Sequence, residues 1–403
     1  MTTLKGSCLG GALIVLGSCI GAGMLALPLV TGILGFFPSL FMLFFAWIFS
    51  MITALLIVEV HASFLERVNL LSMAKRTLGW SGKWLSGILY LFLFYSLLVA
   101  YISGIGNLAA TYLNAVFSIP FPPWAGAIFF TLFFGWLAYQ GTHSVDYWNR
   151  FFVAGKITAY LGMVFLSITS IQSQLLSYVN FSFLFFSLPL LIISFGYHNI
   201  IPTLCDYLKN DLHKIKKSIF LGSFAALLIY LIWNLVVLGI LPIDGEWGIT
   251  SSLKKGLSVS DVIVRILGVS WIGIFAEILA FFALLSSFLA QALALIHFFA
   301  DAFRVKGEKH ESVPLCVLTL LPPLIFALVY PDFFIQALNF GGGVCASLLF
   351  GVFPAIMVWK NRRQYDTAYR VAGGKSLLIA VMLIGCFVLI FQLANMFHLT
   401  LHV

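Results

Sequence analysis

The sequence predicts an all-α integral membrane protein of about eleven transmembrane helices: two five-helix repeats of opposite orientation plus one extra helix, with helices one and six broken. Three observations carry this. First, 62% of the 403 residues are hydrophobic and only 9% are charged, with a mean hydropathy of +1.07, which leaves no room for a soluble domain with a charged surface. Second, apolar runs of roughly spanning length, about 20 residues, recur along the whole chain. Third, two of these runs are interrupted in the same way: Gly17 to Pro28, GSCIGAGMLALP, and about 177 residues later Ser194 to Pro202, SFGYHNIIP.

The first segment, 8 to 31, carries glycines and a proline that prevent an unbroken helix; hydrocarbon tolerates unpaired backbone groups only where they face protein, water or a ligand. Segment two, 37 to 60, precedes a connection with Arg67, Lys75, Arg76 and Lys83, and segment three covers 85 to 115. Pro120, Pro122 and Pro123 introduce segment four, 124 to 140; Arg150 precedes segment five, 151 to 171. The second broken segment is 183 to 206, followed by 218 to 241 after Lys214, Lys216 and Lys217. Segments eight to eleven are 263 to 299, 314 to 330, 333 to 359 and 376 to 397. The chain is one transporter-type domain: repeat one about 6–175, repeat two about 181–360, and an extra helix about 376–397. Because five is odd, the second set enters the membrane inverted; paired broken helices in such repeats mark a mid-membrane binding site.

Orientation follows from the basic residues, which are retained in the cytoplasm during insertion. With the amino terminus inside, only Lys254, Lys255 and Arg265 of the 22 Lys and Arg fall outside, and the carboxyl terminus is external. The formal charge of +8 is therefore a topology signal and an attraction to anionic lipid, with nothing in favour of nucleic acid. Lys5 ahead of an apolar run resembles a secretory leader, but no small-residue cleavage site follows, so the segment is read as part of the mature chain. Six singly spaced cysteines read as small buried hydrophobes. No HExxH, GxxxxGK[ST] or GxSxG pattern occurs, so enzymatic chemistry, a metal and a cofactor are not expected. A channel-like or structural membrane protein is the reading of a different class.

Unwinding near Ile20 to Met24 frees amides at the start of one half-helix and carbonyls at the end of the other, with opposite partial charges of about half an electron. An amino acid zwitterion suits that polarity, its carboxylate on the amides and its ammonium on the carbonyls; close helix packing on glycine is the simpler alternative. Ionisable residues inside the membrane are few. Glu277 is the deepest acid and reads either as a proton carrier or as a structural acid near the outer interface. Glu59 lies near the inner end of segment two and reads as an interfacial or gate residue. His198 sits in the second break, as a proton site or a neutral lining residue. Gly341 to Gly343 in segment ten reads as a gate or a packing site.

GSCIGAGMLALP, AKRTLG (Ala74 to Gly79), AYISG (Ala100 to Gly104), NRFFVAGKI (Asn149 to Ile157), SFGYHNIIP, LPPLIFALVYP (Leu321 to Pro331) and YRVAGG (Tyr369 to Gly374) together resemble the bacterial hydroxy and aromatic amino acid permease family. Within it the chain is most similar to the tyrosine-specific permeases, and the resemblance runs nearly end to end. It implies an eleven-helix inner-membrane protein with the amino acid–polyamine–organocation core shared with LeuT-like transporters, and uptake of L-tyrosine or a related aromatic amino acid driven by protons. It makes Ile20, Gly21, Ala22 and Gly23 the carboxylate cradle, faced by Phe195, Gly196 and Tyr197, with Tyr101, Ser103, Gly104 and Asn107 lining the same cavity. It also implies that a fifth-helix lysine, here Lys156, can place its ammonium where sodium would bind, near the Gly17 and Ile20 carbonyls and Ser286 and Ser287. Snorkelling of Lys156 to the inner surface is the alternative, and without the ammonium the same oxygens suit Na⁺.

Overall fold

The computed structural model describes residues 6–64, 68–117, 121–267, 271–303, 312–364 and 369–397. Lys5, Arg67, Arg304, Lys306 and Lys309, counted above among the inner basic residues, lie outside the described residues. The helices are α1 (Cys8–Cys19), α2 (Gly23–Gly32), α3 (Phe36–His61), α4 (Leu70–Phe117), α5 (Pro123–Tyr139), α6 (Thr142–Ser167), α7 (Ser173–Leu176), α8 (Leu188–Ser194), α9 (Ile201–Tyr207), α10 (Leu212–Leu238), α11 (Ile249–Lys254), α12 (Val259–Leu267), α13 (Trp271–Ala302), α14 (Val313–Val329), α15 (Phe334–Phe340), α16 (Phe353–Gln364) and α17 (Gly374–Met396). Among the described residues there are eight spans long and apolar enough to cross a bilayer, a ninth formed by α1 and α2 across a 60° bend, and two shorter apolar helices, α5 and α14.

Helix neighbours are reciprocal between the two halves. α1 lies along α10 and, in the other half, α3 lies along α8 and α9; α6 lies along α13, and α4 along α15 and the π-helical stretch Gly341–Val352. This exchange of partners is the packing expected of two inverted halves that interlock at their broken helices.

Segment boundaries differ from the sequence reading in two places, each for a local reason. The connection 61–84 is largely helical: α4 begins at Leu70 and kinks at Gly79, whose φ of 81° suits a residue without Cβ. Lys75 and Lys83 lie over the Trp80 ring at 4.6 and 5.3 Å, the geometry of an interfacial helix. The eighth segment begins at Trp271 rather than 263, because 263–267 belong to α12. There Asp261 accepts from the Ser258 amide at 3.0 Å and hydroxyl at 2.7 Å, an N-terminal cap that starts a separate short helix.

One end of the bundle gathers the start of α1, the α9–α10 corner and the last turns of α3 and α16. The Tyr207 hydroxyl accepts from the Ser7 amide at 3.4 Å, the Ser218 hydroxyl donates to the Cys8 carbonyl at 2.9 Å, and Lys216 lies over Tyr369. Asp211 caps α10 at this end, and the hydrogen bond from the Lys214 amide holds its carboxyl below the usual carboxylate range. Glu59, completely buried, accepts from Arg362 Nε at 2.6 Å and Nη2 at 2.8 Å and from the Val371 amide at 2.7 Å, while Arg362 also donates to the Val371 carbonyl at 2.9 Å. Glu59 is thus an interior latch joining α3, α16 and the chain that leads to α17.

In the π-helical stretch each of three consecutive glycines faces a different helix. A Cβ on Gly341 would meet Ser96 of α4, on Gly342 the Pro189 carbonyl of α8, and on Gly343 the Gln392 side chain of α17. A wide π turn lets all three backbones close at once, and such turns concentrate at functional positions.

Candidate binding site between the broken helices

At the first break α1 ends with Ile20 donating to Leu16, and α2 starts with tight bonds from Met24 to Gly21 and from Leu25 to Ala22. The Ala22 and Gly23 amides at the head of α2 are left without a backbone acceptor among the described residues. At the second break α8 ends at Ser194, residues 197–200 form a 3₁₀ turn, and Pro202 in the first turn of α9 needs no amide partner. α10 holds both breaks in place. The Tyr230 hydroxyl lies 2.5 Å from the Cys19 carbonyl oxygen and 2.9 Å from that of Ser194, so its single proton ties the ends of α1 and α8 together; Trp233 donates to the Met24 carbonyl at 2.8 Å.

A cavity of about 460 Å³ opens from these breaks. Gly21, Ala22, Gly23, Ser194 and Gly196 form its head, with Tyr101 of α4 and Ser287 of α13, whose hydroxyls interact, beside them. It then runs along one face of α1 (Leu13, Ile14, Gly17, Ser18) between α6 (Asn149, Val153) and α13 (Ala290, Gln291, Ala294). Gly17 and Ser18 are exposed to it, whereas residues 24–32 of α2 are all buried. The cavity therefore continues toward the end of the bundle that carries the N-terminus.

Lys156 is 3% exposed on α6, and its ammonium donates to the Ile20 carbonyl at 2.6 Å and the Ser286 hydroxyl at 3.3 Å. It does not snorkel; it bridges the broken first helix to α13. Of the two carbonyls considered for it, Ile20 is bonded, while Gly17 faces the cavity. Ile20 itself contributes that carbonyl rather than lining the wall.

Several residues expected at the cavity lie away from its wall. Phe195 is buried against the Tyr230 ring at 5.2 Å. Tyr197 and His198 point away, because the 3₁₀ turn rotates them outward: His198 is sandwiched between Tyr197 and Phe350 and lies 2.7 Å from the Thr53 hydroxyl. Ser103 is buried elsewhere on α4, Gly104 is a packing position whose Cβ would meet Leu284 and Phe334 at 3.1 and 3.2 Å, and Asn107 donates to the Pro331 carbonyl at 3.3 Å. On α4 the Leu97 and Tyr101 face meets the cavity; Ser103 and Asn107 lie on other faces, whereas Gly104 shares that face one turn farther along and is covered by Leu284 and Phe334. Glu277 is buried on α13 ten residues before Ser287, with Asp261 as its charged neighbour, away from the cavity.

Conversely, Asn149, Asn199 and Gln291 line the cavity and Tyr230 and Trp233 clamp the breaks, positions that sequence reasoning missed. Tyr230 and Trp233 share one face of an apolar helix, which was the available signal: buried aromatic side chains with polar tips seek carbonyls. A second cavity of about 770 Å³ between α4, α14, α15 and α17 is larger, but no charged residue lines it. A zwitterion there would meet only neutral side chains, so the cavity at the breaks is the candidate amino acid site.

Gly23 makes a sharp test. Its ideal Cβ would stand 2.8 Å from Ser194 Oγ. Gly23→Val is expected to reduce substrate binding at least tenfold, measured by scintillation proximity on purified protein whose elution profile is unchanged; wild-type binding by this variant would remove the backbone cradle from the site.

Residues 4–392 match the model of the Tryptophan/tyrosine permease family. The chain is 29% identical over 407 residues to the tryptophan-specific transport protein of Haemophilus influenzae, covering 96% of each chain. It is 30% identical over 391 residues, again 96% of each, to tyrosine-specific transport system 2 of the same organism, and 31% identical to its tyrosine-specific transport system 1, covering 93% of this chain and 94% of the relative. Among solved structures, that of MhsT in complex with L-phenylalanine superposes with a TM-score of 0.67 at 13% identity, covering 96% of this chain and 97% of that one. This is a likeness of fold, the LeuT-like architecture of inverted repeats with broken helices.

Proposed function

Starting from the fact that the chain belongs to the tryptophan/tyrosine permease family, a family of transport proteins rather than enzymes, we propose that it imports tyrosine across the bacterial inner membrane by proton symport. The N-terminus is cytoplasmic and the C-terminus periplasmic in this reading, with eleven crossings. The cavity, continuing to the N-terminal end, then belongs to the cytoplasm-facing state of an alternating-access cycle. Repeat one (6–175) and repeat two (181–360) rock about the two breaks, and 376–397 is an addition outside the repeats.

The observation that carries the proposal is Lys156. Its ammonium sits on the Ile20 carbonyl within the wall of a cavity headed by free α2 amides. A fixed cation there occupies the place a sodium ion would need between the first break and Ser286, and a lysine, unlike sodium, can exchange a proton during the cycle. The substrate carboxylate is assigned to the Ala22 and Gly23 amides, its ammonium to carbonyls at the two breaks, and its ring to the space beside Tyr101. His198 and Glu277 remain secondary candidates for proton transfer, at a distance from the substrate. A broader aromatic specificity is the second reading, favoured because relatives of similar identity are named for tryptophan and for tyrosine.

Purified protein in liposomes tests this directly. Tyrosine is expected to accumulate saturably under an imposed inward pH gradient, with tryptophan and phenylalanine as competitors and serine inert. Accumulation that needs Na⁺ and ignores pH would overturn the proton assignment, and conduction without saturation would move the protein to the channel class.

A further inference from the structure

The 770 Å³ cavity between α4, α14, α15 and α17 has a lining ordered along the bundle axis. α17 runs away from the latch at Val371, so Gln392 and Asn395 stand within about 6 Å of its far end, and α15 begins at that same end with Gln336 in its first turn. Phe340 lies about 9 Å deeper along α15, and Pro322 about 10 Å from the far end of α14. Neutral amides thus gather at the level of the helix ends, with rings and prolines beneath them. Phe92, Phe326 and Met396, all exposed on apolar helices of a membrane-spanning chain, rim an opening that faces hydrocarbon.

Gln392 is the informative side chain. It is 8% exposed and makes no hydrogen bond among the described residues, yet its amide is not sealed inside the protein: unlike Asn339 Oδ1 in the same wall, it keeps accessible surface where it lines the cavity. Its stem lies against Gly343 of the π-helical stretch, which fixes its direction. An amide facing hydrocarbon has no partner except one that the membrane brings. No charged residue lines the cavity, so a headgroup phosphate is not what it holds. Lipid chains are as apolar as the walls, and moving one from bilayer to cavity gains little from burial alone. Selection falls to shape and to that one amide.

We propose that this cavity is a phospholipid site: an acyl chain from the leaflet at the far end of the bundle seats among the rings, and its ester carbonyl accepts from the Gln392 amide. The order of the lining matches the order of the lipid, whose esters lie between headgroup and hydrocarbon and whose chains point inward, while the headgroup stays outside an uncharged mouth. The site backs onto the cavity at the breaks. On α15 Ala337 lines the lipid side and Leu338 the other; on α4 Ser96 lines the lipid side and Tyr101 the other. A seated chain therefore supplies packing contacts behind two helices that wall the candidate amino acid site, whichever amino acid that site takes.

The test offers delipidated protein in detergent equal amounts of diester and diether phosphatidylethanolamine with the same chains, and reads the bound lipid by native mass spectrometry. The ether linkage keeps headgroup and chains but removes the carbonyl acceptor. Wild-type protein is expected to retain the diester in preference by about threefold or more, the effect of one net hydrogen bond. Gln392→Met, which keeps the stem that packs on Gly343, is expected to erase that preference; a merely structural role would lower both lipids together and leave the ratio alone. Met396→Trp, at an exposed rim position, is expected to narrow the mouth and lower retention of both lipids by a similar factor, with the elution profile unchanged. Equal retention of the two lipids by the wild type overturns the site without any variant, as does an unchanged ratio in Gln392→Met or unchanged retention in Met396→Trp. A preference for phosphatidylglycerol over both, whatever the linkage, would put the bound lipid on the basic N-terminal end of the bundle and overturn the site as well.

Discussion

Lys156→Met is expected to abolish tyrosine accumulation driven by a pH gradient while the protein still folds and still exchanges tyrosine at equal concentrations on both sides. The ammonium makes a charge-assisted bond of 2.6 Å to the Ile20 carbonyl in a site 3% exposed. Such a bond contributes about 1.5–3 kcal/mol, roughly a ten- to hundredfold change in any equilibrium that makes or breaks it. Methionine keeps the length of the side chain and its packing between α1, α6 and α13 but carries no proton. Lys156→Arg keeps the charge, yet its planar fork does not lose a proton and is broader than the ammonium, so it is expected to fail in uphill uptake as well. Exchange lost together with uptake would make Lys156 a structural strut. Full uphill uptake by the methionine variant would exclude it from coupling altogether. Lys156→Ala in Na⁺ buffer adds a further reading: the Ile20 carbonyl and Ser286 hydroxyl are oxygen ligands of the kind hard cations use, and a new sodium dependence would identify the ammonium as the occupant of a cation site.

Arg362→Met is expected to be the most destabilising single change at the N-terminal end of the bundle, by about 3–5 kcal/mol, because it strands Glu59 as a buried, unpaired carboxylate. Glu59 has no solvent exposure, whereas the Arg362 side chain is 16% exposed. The asymmetry has a consequence: Glu59→Gln, which leaves the more accessible cation and an amide that still accepts from Val371, is expected to cost clearly less. The double variant Glu59→Met with Arg362→Met is expected to recover much of the loss, since replacing both partners removes the desolvation cost along with the attraction. Thermal unfolding in detergent, followed by size-exclusion retention after heating, orders these proteins and the single Glu59→Met variant that closes the cycle. Additive losses in the double variant would show that the two residues do not act as a pair. Because the latch also holds the chain at Val371, limited proteolysis near 369–373 is expected to accelerate in step with the loss of stability.

The broken first helix was legible because its cause is local. Glycines and a proline in an apolar run weaken the helix wherever the chain is placed, and the bilayer forbids leaving the result exposed. The reversal between halves was legible for the same reason, from an odd number of apolar segments between two similar breaks. The start of the third helix was misplaced because charges at Lys75, Arg76 and Lys83 read as a loop, although at a membrane interface they suit an amphipathic helix whose lysines cover Trp80.

The site was legible only as far as its backbone. Gly21, Ala22, Gly23 and Gly196 stand at the head of the cavity, as does Tyr101, but Tyr197 and His198 belong to the packing behind it. A 3₁₀ turn changes the angle between consecutive side chains, so which of residues 195 to 200 faces the cavity depends on geometry absent from residue type. Gln291 and Asn149 were invisible for another reason: a single amide in an apolar helix signals only that its face points inward. The clamp of Tyr230 and Trp233 on the broken backbone joins residues more than 200 positions apart in the chain.

The sequence by itself determined that this chain spans the membrane, where its helices break, which residues could carry charge inside, and the family to which it belongs, because these follow from hydropathy, backbone chemistry and motifs that are local or repeat in order. Only the tertiary structure decided that Lys156 meets Ile20, that Glu59 meets Arg362, and that the cavity continues toward the N-terminal end. Those are contacts between helices distant in the chain, and their existence depends on which face each helix turns inward, a choice settled by the simultaneous packing of all its neighbours.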